Sequence, residues 1–130
     1  MRLSIPLKPI SVNVCWRGRR YATPEYKKWV IDMLRSMPKQ EMIKGYTSLS
    51  IVLHLASLAR GDIDNFCKPI IDCLVKRGWI EDDRYIQHLE VAKTKDIKEF
   101  IEVEIKELRI EAIKVGKYNK NNEKTKRGTK

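Results

Sequence analysis

At 130 residues the chain fits one domain, and a 42% hydrophobic content supplies one core and excludes global disorder. Charged residues reach 34%, and 27 lysines and arginines against 17 acids give a formal charge of +10. That surplus points to a polyanionic partner, with nucleic acid ahead of an anionic membrane surface. The excess sits at the ends: residues 1–40 hold nine basic and two acidic residues, residues 112–130 seven and one, and the middle is net acidic. No basic start leads into a long apolar run and no stretch reaches membrane-span length, so a cytoplasmic protein is expected.

In chain order, Leu3, Ile5 and Leu7 predict a short strand stopped by Pro6 and Pro9. Residues 10–23 read as a loop carrying Asn13, Trp16 and RGRRY. Thr23-Pro24-Glu25 has the cap, proline and acid of a helix start. Tyr26, Trp29, Val30, Met33, Leu34 and Met37 then recur at three- and four-residue spacing, an amphipathic helix ended by Pro38. After Lys44-Gly45, SLSIVLHLAS predicts a strand, its centre rich enough in apolar residues to be covered on both faces.

A second helix is predicted over 66–77, with Phe66, Ile70, Ile71, Leu74 and Val75 on one stripe and Gly78 as its C-terminal cap. Pro69 is tolerable only in a first turn, which puts the start near Asn65 or Phe66. Residues 85–93 and the alternating EFIEVEIKEL read as two strands joined in an antiparallel hairpin. The expected fold is therefore an α/β two-layer domain, β-α-β-α-β-β, with a small mixed sheet of about four strands and two helices on one face. The domain is expected to span 1–111, with 112–130 a basic, flexible tail.

The stretch GDIDNFCKPIIDCLVKRGWIEDDRY gathers five aspartates and a glutamate in a basic protein. Asp62 and Asp64 follow a strand and precede a helix, so one of them is well explained as a helix cap, with Asn65 a further candidate. Two caps side by side are not explained that way. Asp64, Lys68 and Asp72 are spaced to share a helix face as surface ion pairs, and Asp82 and Asp83 follow Trp79. Several carboxylates around one lysine suit Mg2+ or Mn2+ better than zinc, because the donors are hard oxygens with no paired thiols. In a basic protein such a site points to phosphodiester cleavage, with lysine offsetting developing charge.

Other residues divide similarly. Arg17, Arg19, Arg20, Lys27 and Lys28 are the leading phosphate contacts, against a plain solvated face. Trp16 either packs on the core or stacks on an unpaired base. Trp79 reads as a packing anchor for Asp83. His54 and His88 read as structural strand residues, and Cys67 and Cys73 as small core residues.

The run DIDNFCKPIIDCLVKRGWIEDD resembles the signature of the RusA family of Holliday junction resolvases. That signature has the form D-x-D-N-x-x-K-x-x-x-D, then a helix, a glycine, a tryptophan or similar residue, and a closing D-D. The resemblance covers most of residues 1–110; IPLKPISVN and RGRRYATPEY match more loosely. It implies a homodimer that cuts four-way DNA junctions by symmetrical nicks, using Mg2+ or Mn2+. It places metal-binding catalytic aspartates at Asp62, Asp64 and Asp83 and the essential lysine at Lys68. Asp72, Asn65 and Asp82 would then be supporting residues. Gly61 stands where the family often has arginine, with Arg60 one place earlier. A nuclease for another branched or flapped DNA, and a basic branched-DNA-binding module with structural carboxylates, are the competing readings.

Overall fold

The computed structural model describes residues 1–18 and 21–108. Arg19, Arg20, the last residues of the expected domain and the whole anticipated basic tail lie outside them. Among the described residues there are six strands: β1 (Arg2–Ile5), β2 (Trp16–Arg17), β3 (Tyr21–Ala22), β4 (Thr47–Leu55), β5 (Ile86–Lys95) and β6 (Phe100–Glu107). The two α-helices are α1 (Pro24–Ser36) and α2 (Cys67–Arg77). The main sheet runs β1-β6-β4-β5, while β2 and β3 form a separate two-stranded ribbon in the expected loop.

Alternation along β4 sets the layering. Thr47, Leu49, Ile51, Leu53 and Leu55 are buried, whereas Ser48, Ser50, Val52 and His54 are only half-buried on the other face. The helices cover the first face, closing one core from Tyr26, Trp29 and Met33 of α1, Ile70, Cys73 and Leu74 of α2, and Ile101, Val103 and Ile105 of β6. The α/β two-layer architecture is as expected, but β4 is covered on one face rather than two. Serine at two of the four outward positions is the reason: these residues do not need a second layer.

The last two strands do not form a hairpin. β4 lies between them, parallel to β5 from Thr47↔Ile86 to Leu55↔Lys95 and antiparallel to β6. Residues 96–99 cross the end of β4, where the Asp96 amide donates to the Leu55 carbonyl at 2.9 Å. They bridge two strand spacings, about 10 Å, which four residues span and a tight two-residue turn does not. The segment Asp-Ile-Lys-Glu also lacks the glycine that tight hairpin turns demand. Parallel neighbours require a crossover, and α2 provides it between β4 and β5.

Local chemistry fixes the helix ends. The Thr23 hydroxyl oxygen accepts from the Tyr26 amide at 3.1 Å, and Pro24 opens α1. Gly78, at φ 81°, ends α2: its amide donates to Val75 O, and the Trp79 amide to Leu74 O, a Schellman arrangement. Trp79 is fully buried and its indole N–H donates to the Pro38 carbonyl at 2.9 Å. At the far end of the sheet, the Leu108 amide donates to Tyr46 O at 2.9 Å. Among the described residues no helix is long and apolar enough to cross a membrane.

Candidate active site

The loop leaving β4 is held at several points. The Ala56 amide donates to Glu99, and the Arg60 guanidinium reaches both Glu99 and the Pro9 carbonyl while lying 5.6 Å from the Phe66 ring centre. Lys93 Nζ donates to the carbonyls of Leu58 and Gly61, each at 2.8 Å. A Cβ on Gly61 would stand 3.1 Å from the Phe66 ring, so the loop closes on that ring at a distance glycine tolerates best. Arg60 is thus engaged with the fold, and glycine at position 61 has a steric reason.

Asp62 and Asp64 emerge from this anchored loop, in and just before a 3-10 turn over Ile63–Phe66. Asp62 occupies the cap position of that turn yet makes no side-chain cap hydrogen bond. Both acids are exposed, and among the described residues neither carboxylate has a hydrogen-bond or ion-pair partner. The capping explanation therefore fails for both. Asn65 lies inside the turn, its amide on Asp62 O at 3.0 Å, and its side chain caps neither this turn nor α2.

Lys68, in the first turn of α2, links the other acids. Its ammonium lies 2.9 Å from Asp72 Oδ1 and 3.3 Å from Asp83 Oδ2. The bond to Asp72 is the main influence raising the Lys68 pKa above its ordinary 10.5. Asp83 is pushed below its ordinary 3.8, first by a hydrogen bond with Asp82 and then by Lys68. Asp82 accepts from the Arg84 amide at 3.1 Å and is the cap of the turn Asp83–Tyr85. Asp64 does not join the Lys68–Asp72 pair, because residues 63–66 wind as a 3-10 turn and break the helical register.

Among the described residues no group of three or more His, Cys, Asp or Glu side chains is gathered tightly enough to hold a metal ion. The donor chemistry still fits a hard divalent cation: the groups are carboxylate oxygens, and two of them lack a protein cation. The thiols offer no competing site. Burial pushes Cys15 and Cys73 up to about 11 and raises Cys67, so all three stay protonated at neutral pH.

The family sequence model described as Endodeoxyribonuclease RusA matches residues 13–106, which span every acid above and Lys68. The chain belongs to the RusA family. It is also similar to a protein of Enterobacteria phage HK97 named crossover junction endodeoxyribonuclease rusA, with 26% identity over 91 residues, covering 65% of this chain and 76% of that one. The RusA match begins beyond β1 and ends within β6, so it encloses the β4–α2–β5 unit that carries the acids.

The remaining expected residues fall in different places. Arg17 is exposed on β2, and Lys27 and Lys28 are exposed on α1, where Lys28 pairs with Asp32 at 3.0 Å. His54 sits between Glu102, 2.6 Å from Nε2, and Asp96, 3.3 Å from Nδ1 without a hydrogen-bonding angle, and stacks on Phe100. These contacts tie β4 to β6, while Nδ1 is left without a hydrogen-bond partner among the described residues. Lys93 was not expected. It shares the inward parity of Leu89 and Val91 on β5, and a lysine on that parity was the available signal.

Proposed function

We propose that this chain is a Mg2+- or Mn2+-dependent endonuclease that resolves four-way DNA junctions by paired symmetrical nicks, acting as a homodimer. The observation that carries the reading is the pair of carboxylates, Asp62 and Asp64, that meet no partner among the described residues, on the same β4–α2–β5 unit as the Lys68–Asp83 contact. Exposed in water, two such carboxylates two residues apart cost the fold little, and their oxygens stay open to a cation that arrives with the substrate. Asp62, Asp64 and Asp83 would hold the ion, which when bound supplies Lewis-acid activation of water and offsets charge on the phosphodiester.

The chain's own groups do the rest. The Lys93–Glu99–Arg60 contacts hold the loop and so orient Asp62 and Asp64. Lys68 remains an ammonium at neutral pH, so it stabilises negative charge on the phosphoryl or leaving oxygen rather than acting as a base. Asp72 holds Lys68 in place from one turn further along α2. Arg17, Arg19, Arg20, Lys27 and Lys28 contact backbone phosphates, and a two-fold pair of subunits matches the near-twofold symmetry of a four-way junction. Residues 1–111 form the nuclease unit, and 112–130 add non-specific affinity.

The test is cleavage of a labelled four-way junction beside matching duplex, with Mg2+, with Mn2+ and with chelator. Paired nicks confined to the junction and abolished by chelator are expected. Folded protein that cuts nothing with either metal would overturn the enzymatic reading in favour of a binding module, and cutting confined to flaps would move the substrate class.

A further inference from the structure

Beside the acids lies an open cavity of about 620 Å³. Its walls are apolar, formed by Trp16, Tyr26, Val30, Ile31 and Val75. Trp16 tilts against Tyr26 with ring centres 5.6 Å apart, yet it is 45% exposed, and Ile31 on the facing helix is 50% exposed. The short β2–β3 ribbon thus presents a large aromatic ring to solvent that the core could have covered.

Two features define what enters. The cavity runs into the acidic site, sharing Asp72, Asp82 and Asp83 with it. Lys27 and Lys76 also line it, so a polyanionic chain can approach from the solvent side. A ligand must then be flat and apolar on its faces, carry hydrogen-bond donors at its edge for the carboxylates, and hang from a phosphate backbone. We propose that the cavity receives an unstacked nucleobase flanking the scissile phosphate, with Trp16 as its stacking platform. Tyr26 is pushed up to about 12, chiefly by burial, and stays a neutral wall.

The proposal rests on the nuclease reading and adds a reason for structural selectivity. A base inside continuous duplex must be unpaired and unstacked before it can enter, whereas a base at a branch point is already close to that state. Filling the slot is therefore cheap at a junction and expensive in duplex. The cavity reads shape through the cost of freeing one base.

The experiment compares junctions that are intact or abasic at the nucleotide on either side of the mapped nick, using the full-length chain. Trp16→Ala is expected to slow cleavage of the intact junction about tenfold, the scale of one base–aromatic stack, and to leave the abasic junction unchanged. Trp16→Phe should retain the difference between the two substrates. Ile31→Arg, at an exposed rim position, should erase it without burdening the core. In an Asp64→Asn background, binding of junctions made abasic in turn at each branch-point nucleotide reads the slot without a mapped nick, so a chain that cuts nothing still gives an answer. Equal slowing on intact and abasic junctions, equal binding of both by the Asp64→Asn protein, or loss of the dimer in Trp16→Ala by sedimentation would overturn the proposal; the last would make the cavity a subunit contact.

Discussion

Asp62 and Asp64 differ from the other acids in what their removal leaves behind. Neither has a partner to strand among the described residues, so Asp62→Asn and Asp64→Asn should each change folding stability by no more than about 0.5 kcal/mol in a urea titration. On the nuclease reading they abolish nicking while junction binding is kept or strengthened, because a negative charge facing phosphate has gone. Lys68 and Asp83 are instead tied by linkage. Asp83 is depressed, so its contribution is present above its unfolded value and fades as pH falls through the lower folded one. Lys68 is raised, so its contribution is present below 10.5 and fades as pH rises through the higher folded value. Between about pH 5 and 9 both keep their charge, so the cleavage profile should show no limb from either. Profiles of wild type and Lys68→Arg that differ in shape within that window would contradict the assignment. Lys93→Met should release the Leu58 and Gly61 carbonyls and weaken Mn2+ binding, read by electron paramagnetic resonance, by about tenfold or more.

At the scale of elements, the β4–α2–β5 unit positions the acids, and its punctuation was largely legible. Pro69 confined the start of α2, Gly78 ended it, and the inward residues of β4 and β6 followed from alternation. Gly78→Ala places a Cβ at φ 81° and should cost about 1–2 kcal/mol by thermal unfolding, while leaving the contents of the acidic loop unchanged. Strand pairing was less legible. Adjacency in sequence suggested a hairpin for β5 and β6, but pairing is decided by which strand completes the sheet's middle, and that is not a local property. The same holds for Lys93 and Glu99: each anchors a loop more than thirty residues away, and no spacing rule connects them to it. Asp62 and Asp64 stood out from spacing alone, but that neither meets a partner among the described residues is a fact of three dimensions.

For the molecule as a whole, the acids and the last described residue stand at opposite ends of β4. The acids follow the end of β4, while the described chain finishes at Leu108 beside Tyr46, at the start of β4. A nine-residue strand lies between, on the order of 25 Å. Residues 109–130 hold eight lysines and arginines. Deleting them should weaken duplex and junction binding by the same factor and flatten the dependence of affinity on salt, measured by fluorescence anisotropy, with the ratio between the two DNAs unchanged. A loss confined to the junction would show that these residues take part in recognising the branch. On the nuclease reading, charge joined to the chain at that pole of the sheet would act as a leash, raising the concentration of DNA around the acids.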